Sequence, residues 1–334
     1  MTFGLVLEWG IKSLVVILAM TVGFAYVTLY ERRALARLQN RIGPNRAGPQ
    51  GLLQPIADAF KLIFKEELLP AKADKLIFIM APVITVIPAL IITGAIPWGP
   101  PITLFGREIT LSVADINIGA LYILMVTSIS VYGITLAGWS SNNKYATMGS
   151  LRATAQMISY ELAMGLSFIG PILLASSMSM TDIVNAQKNL WFVVLQPLGA
   201  IIYFISAIAE INRSPFDMPE AEQELVAGYH IEYSSMKFAL FFMAEYIKMI
   251  AISMIGASLF LGGFWGPFVA KLPWLGPIYL FIKVVIILFV LIWIRATLPR
   301  IRYDRLMSFG WKILFPLAML NVLITALVVK LVGG

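Results

Sequence analysis

The sequence predicts an all-α polytopic membrane protein with eight transmembrane helices and one interfacial amphipathic helix in the first cytoplasmic loop. Three observations predict it. Hydrophobic residues make up 59% of the 334 and charged residues 13%, with a mean hydropathy of +0.85, a balance foreign to soluble domains. The apolar residues gather into eight runs of spanning length. All eight tryptophans stand near the predicted ends of those runs, where amphipathic indoles settle at a membrane–water interface.

In chain order the runs are 11–30, 76–96, 116–137, 153–175, 191–209, 238–261, 275–294 and 309–329. About 20 residues rising 1.5 Å each cross a hydrocarbon core of about 30 Å, so each run spans once. Pro82, Pro88, Pro171, Pro197 and Pro316 lie inside or at the edges of runs, where they kink helices that neighbours support. There is no internal repeat and no separate soluble domain, so the chain reads as one membrane domain, 1–334. The first ten residues lack a basic n-region and no small-residue cleavage site follows, so no cleavable signal peptide is expected.

Between the first two runs lies 31–75, beginning ERRALARLQNRIGPNRAGPQGLLQPIADAFKLIFKEE. Gly43, Pro44, Gly48, Pro49 and Gly51 make a rigid turning segment, and a helix is expected to start near Pro55, a residue tolerated in a first turn. Leu52, Leu53, Ile56, Phe60, Ile63 and Phe64 recur at helical spacing, with Gln54, Asp58, Lys61 and Lys65 on the other face. That is an interfacial helix. It reads either as a lid lying in the headgroups or as part of a site; the Glu31, Arg32 and Arg33 cluster ending the first helix, together with Arg37, Arg41 and Arg46, is denser than topology needs.

Orientation follows from Lys and Arg. With Lys12 and Lys312, near the edges of their runs, counted to the adjacent sides, the odd-numbered loops hold 18 of them and the even loops with both termini hold 5. The odd loops are therefore cytoplasmic, or matrix-like in an organelle, and both termini lie on the outer side. The net charge of +7 reports this orientation and does not call for a nucleic-acid partner.

The stretch 210–237, EINRSPFDMPEAEQELVAGYHIEYSSMK, faces the same side. It carries Glu210, Asp217, Glu220, Glu222, Glu224 and Glu232 against only Arg213 and Lys237, together with the single histidine, His230. A solvated acidic loop is one reading. Proline punctuation at Pro215 and Pro219 around Phe216, and the apolar segment 225–229, favour a folded loop packed on something. Inside the runs Glu161, Glu245, Lys248 and Lys283 are ionisable, and Glu210 closes the fifth. Each costs at least about 2.5 kcal/mol at mid-bilayer, so each should face a partner or a wet cavity. Glu245 and Lys248, three apart on one helix face, are able to pair. Such groups serve either as packing pairs or as proton carriers. The chain has no cysteine and one histidine, which excludes disulfides, cysteine-ligated clusters and bis-histidine haem. No metal site is expected, and motifs for metal hydrolysis, dinucleotide or phosphate binding are missing.

Three stretches carry a resemblance: ERRALARLQNRIGPNRAGPQGLLQPIADAFKLIFKE, RSPFDMPEAEQELVAGYHIEYSSMKFALFFMAEY and RATLPRIRYDRLMSFGWKILFPL. They resemble the family of complex I membrane subunits that adjoin the quinone site, the H-type subunits of bacterial NADH-quinone oxidoreductase and subunit 1 of the mitochondrial membrane set. The similarity covers most of the chain, with one departure: glycine is expected where Ser235 stands. The resemblance implies a membrane-side wall of a quinone chamber, in a cell inner or plasma membrane or an organellar inner membrane. It implies Arg32, Arg41, Asp58, Lys61, Phe216 and Arg295 as quinone-facing. It likewise implies Glu161, Glu210, Asp217, Glu220, Glu222, Glu224 and Glu245 as an acidic path linking quinone chemistry to proton translocation. No residue is catalytic in isolation, and the chain itself binds no cofactor. Quinone, such as ubiquinone, is the substrate, while NADH, FMN and iron–sulfur clusters belong to partner subunits. The partners implied are soluble quinone-site subunits and neighbouring membrane subunits of the respiratory complex.

Two other classes stay open on sequence alone. The homologous subunit of a membrane-bound hydrogenase or ferredoxin-fed complex would share these motifs. A stand-alone proton-coupled transporter would also carry intramembrane carboxylates, but it should show paired repeats and broken helices in corresponding halves, which the sequence does not display.

Overall fold

The computed structural model describes residues 3–104, 107–218 and 228–332. Its elements are α1 (Phe3–Leu38), α2 (Gln54–Ile63), α3 (Lys75–Ile92), a short antiparallel pair β1 (Ile102–Leu104) and β2 (Arg107–Ile109), α4 (Gly119–Ser140), α5 (Lys144–Ala175), α6 (Met180–Ala186), α7 (Phe192–Leu195), α8 (Pro197–Glu210), α9 (Ser235–Phe260), α10 (Leu275–Thr297), α11 (Tyr303–Phe309) and α12 (Phe315–Val332). A π-helical turn, Gly310–Leu314, joins α11 to α12.

Among the described residues seven helices are long and apolar enough to cross a membrane, the last running from Tyr303 to Leu331 through that turn. The chain is thus a largely helical multi-pass membrane protein. The fifth predicted run, 191–209, is not one continuous helix. It divides at Gln196, whose φ of −134° is not helical, because Pro197 disfavours helix in the preceding residue and brings no N–H. What remains, α8, has 14 residues and reaches about 21 Å, short of a full crossing.

Two helices begin or end well outside their predicted limits. The first continues to Leu38, carrying Glu31, Arg32, Arg33 and Arg37. The fourth predicted run starts at Lys144 instead of residue 153, because the Asn143 side chain caps it by accepting from Tyr145 N at 2.9 Å. Pro82 and Pro88 lie inside α3 and Pro171 inside α5, as expected.

The core is built on α5, which packs against α4, α8 and α12, while α9 packs against α1, α3 and α10. Tyr160, Phe168 and Tyr203 are among its largest fully buried side chains. The outer faces of α1 and α12 leave leucine, isoleucine and valine exposed, as lipid-facing surfaces do.

In the first loop a turning segment precedes α2 as expected. Gly51 has φ 74°, and a side chain there would collide with the Pro44 carbonyl, so glycine alone fits. Pro55 lies in the first turn of α2. The six apolar residues 52, 53, 56, 60, 63 and 64 are all exposed. The opposite face is tied down through Asp58, which accepts from Arg32 Nη1 at 2.7 Å and from Gln54 Nε2 at 3.0 Å.

Candidate functional site

Arg213, just beyond the end of α8, organises the inner half of the molecule. Its Nη1 donates to both carboxylate oxygens of Glu31 on α1, at 2.7 and 2.9 Å. Its Nε donates to Glu245 on α9. The guanidinium carbon lies 4.4 Å from the ring centroid of Tyr246. Arg295, at the end of α10, also donates to Glu31. Glu31 is 2% exposed and Arg213 8%, while Glu245 and Arg295 are half-buried, so four helices bring two cations and two carboxylates into a charge-balanced cluster with a nearly dry centre. Burial works against the Arg213 charge, but Glu245, Tyr246 and Glu31 outweigh it and hold its pKa above the ordinary value. Removing one member of such a cluster strands the others and costs about 3–5 kcal/mol.

Glu245 faces a second group as well. A cavity of about 20 Å³ is lined by Glu210, Asn212, Glu245, Lys248, Thr85 and Tyr229, which is room for about one water. Glu210 is 1% exposed, and neither of its carboxylate oxygens has a hydrogen-bond partner among the described residues. Lys248 is buried and lies close enough to Glu210, Glu161 and Glu245 to interact electrostatically with all three. Glu161 accepts from Ser128 on α4, while the Thr127 hydroxyl on the same helix, 3.3 Å away, has a nearer acceptor in Leu124 O at 2.8 Å.

The pairing expected between Glu245 and Lys248 is therefore corrected. The carboxylate takes Arg213 as its ion-pair partner, and Lys248 turns to the cavity instead. A planar guanidinium reaches Glu31 and Glu245 at once with separate N–H groups, which an ammonium three residues away on the same helix does not match.

A third feature is a cleft of about 550 Å³ between α1, α2 and α9. Arg32, Asp58, Lys61 and Lys65 line it together with apolar side chains that include Phe24 and Phe242. Those two rings also pack on Tyr246, with centroids 6.0 and 4.9 Å away. Tyr246 thus stands between two rings that line the cleft and the Arg213 cluster.

Of the six residues expected to face quinone, Arg32, Asp58 and Lys61 come together in this cleft and Arg295 joins the buried cluster. Phe216 is buried, its ring 5.7 Å from that of Tyr160. Its carbonyl accepts from Gln156 Nε2 at 2.7 Å. Arg41 is exposed, its Nε bonded to Gln39 Oε1 at 2.7 Å. Among the acidic residues, Glu161, Glu210 and Glu245 converge on Lys248, and Asp217 is half-buried beside Phe216 in the chain. Glu220, Glu222 and Glu224 lie outside the described residues.

Sequence reasoning does not assign Glu31, Arg213, Tyr246, Ser128 or Gln156 to the site. Glu31 and Arg213 do carry a signal, each being a charge at the junction of an apolar run and a polar loop. Gln156 gives none, yet its Nε2 also donates to Ala209 O at 2.9 Å, fastening the end of α8 to α5. Three or more potential metal ligands do not cluster anywhere among the described residues.

Comparison with known proteins places the chain beside a defined group. A family model described as NADH dehydrogenase matches residues 11–326. The NADH-quinone oxidoreductase H subunit 1 of Geobacter metallireducens is 52% identical over 307 residues, 92% of each chain. The NADH-quinone oxidoreductase H subunit of Thermomicrobium roseum is 50% identical over 314 residues, 91% of each chain. NADH-quinone oxidoreductase subunit 8 of Thermus thermophilus is 51% identical over 323 residues, covering 96% of this chain and 87% of the relative.

Proposed function

Because the chain belongs to the family of H subunits of NADH-quinone oxidoreductases and is a membrane subunit of that proton-pumping enzyme, we propose that it walls the quinone chamber and carries the acidic coupling path. The observation that carries this reading is the position of Tyr246, whose ring packs on two rings of the cleft lining and under the Arg213 guanidinium. On one side is a largely apolar cleft with Arg32, Asp58 and Lys61 at its polar end, open beside a helix whose apolar face is exposed. A lipid quinone needs such an opening from the bilayer. On the other side is the Arg213 cluster.

Reduction of quinone to quinol takes two electrons and two protons. The electrons come from partner subunits, since a chain with no cysteine and one histidine offers no ligand set for an electron carrier. The headgroup lies at the inner end of the chamber, against a soluble partner. Charge developing there acts on Arg213 and Arg295 across a poorly screening interior. Glu245 belongs both to that cluster and to the Glu210–Lys248 cavity, so a change in its pairing with Arg213 alters the field at Lys248, Glu210 and Glu161. The relay then runs from the chamber to Glu245, Glu210 and Glu161, and Asp217, Glu220, Glu222 and Glu224 are assigned to it on the family resemblance. Ser128 holds Glu161 in place.

The same reading makes the α7–α8 segment an eighth crossing and α2 an interfacial helix. It puts both termini on the outer side and makes the whole chain one membrane domain. Glutamine keeps the shape of glutamate and removes its titration. Glu161→Gln, Glu210→Gln and Glu245→Gln are expected to leave the complex assembled but to depress quinone reduction and proton transport together. Measuring donor-to-quinone activity and acidification in assembled variants decides it: three fully active, fully pumping variants would make these residues packing elements.

A further inference from the structure

The break before α8 leaves polar groups in an apolar layer between α5, α8 and α12. Gln196, Asn321 and Thr325 are 4%, 6% and 7% exposed. Thr325 Oγ1 donates its one hydrogen to Asn321 O at 2.7 Å, so it must accept from Gln196 Nε2, also at 2.7 Å. That arrangement fixes the Gln196 amide and turns its Oε1 towards Gly170 and Gly199. Neither Gln196 Oε1 nor Asn321 Nδ2 has a hydrogen-bond partner among the described residues. They meet at one place: the point where Gly199 would carry a Cβ is 3.1 Å from Asn321 Nδ2 and 3.2 Å from Gln196 Oε1. The first turn of α8 lies there too, with proline at its start and no side-chain cap; Ala200 N already donates to Gln196 O at 3.1 Å, which leaves the N–H groups of Leu198 and Gly199 as further donors.

We propose that the α7–α8 break is a binding site for one buried water, accepting from Asn321 Nδ2 and the first turn of α8 and donating to Gln196 Oε1. The mixture of donors and an acceptor selects the ligand. A halide would face the Gln196 oxygen, and a cation would face the Asn321 N–H and the positive end of a helix. Water satisfies both, and buried waters make about three such bonds. With it, a helix can be interrupted in surroundings that offer no other solvent. Glycine at 199 leaves the space.

The site stands apart from the proton relay. Gln196 lies on the same helical face as Tyr203, Ser206 and Glu210, but Tyr203 intervenes. Its hydroxyl donates to Ile252 O at 2.8 Å, and its ring is packed by Phe168, Phe204 and Phe260.

A density map of the native assembled enzyme, at a resolution that shows ordered waters, tests the proposal. One peak within hydrogen-bond distance of Gln196 Oε1 and Asn321 Nδ2 is expected. A direct bond between those atoms, no peak, or a peak about 2.4 Å from several oxygens, as a bound cation gives, overturns it. Gly199→Ala fills the space and should lower the melting temperature of the complex by several degrees. Gly165→Ala, where a Cβ meets only Leu124 Cδ1 at 3.7 Å, should not. A Gly199→Ala complex as stable as the native one counts against the site, and the native map stands by itself if that variant fails to assemble.

Discussion

Ser235 has φ 55°, in the left-handed region that a residue with a Cβ enters at about 1–2 kcal/mol. That conformation is the physical reason to expect glycine there. Serine offsets part of the strain by donating from Oγ to Leu62 O at 2.9 Å, which ties α9 to α2. Ser235→Gly loses the tie but relieves the strain, whereas Ser235→Ala loses the tie and keeps the strain. The alanine variant should therefore be less stable than the glycine variant by about 1 kcal/mol. Thermal denaturation of the two assembled variants checks the order, and equal stability would refute the strain. His230 makes a second test. Burial between Tyr229 and Phe238 lowers its pKa from 6.5 to about 4. A histidine held neutral when folded leaves stability intact above pH 6.5 and removes it as pH falls towards 4, by about 3 kcal/mol in total. A cysteine replacing Glu232 should become more reactive to thiol reagents over that interval, after correction for thiolate fraction. Adding His230→Gln should abolish the rise, and a rise that persists would assign it to another group.

At the scale of elements, α2 is legible because its signals are local: proline near the start, six apolar residues on one face, polar residues on the other. The partner of its polar face is not, since Arg32 and Asp58 are 26 residues apart. If the apolar face lies in the bilayer beside the cleft, Ile56→Asp and Phe60→Asp each remove about 2 kcal/mol of apolar burial there. The KM for a long-tailed quinone should then rise more than the KM for a short-tailed analogue. A parallel rise in both would place the effect at the headgroup, away from α2. The break at Gln196 is half-legible. Pro197 predicts a kink, but whether a proline bends a helix or ends it depends on what satisfies the freed groups, and here those groups belong to α12, more than a hundred residues on.

For the whole molecule, the proposed orientation rests on a charge asymmetry that sequence displays directly. If both termini lie on the outer side, a cysteine at Lys188, between α6 and α7, should react with an impermeant reagent applied to sealed cells, and one at Ser214 only after permeabilisation. The reverse pattern would invert the orientation. Hydropathy, tryptophan placement, the start of α2 and the carboxylates Glu161, Glu210 and Glu245 are readable in the chain. They depend on residues within a turn or two of one another and on transfer between water and lipid, which each segment undergoes by itself. Tertiary structure alone decided which charges meet. Glu31 and Arg213 are 182 residues apart, and Arg295 and Glu31 are 264 apart, so no spacing rule joins them. Glu245 chose Arg213 over Lys248, its neighbour by three, because in a dry interior a carboxylate pairs with the cation whose geometry and remaining hydrogen bonds are best met there. That choice depends on how four helices pack, and the folded chain makes it only after every segment has found its place.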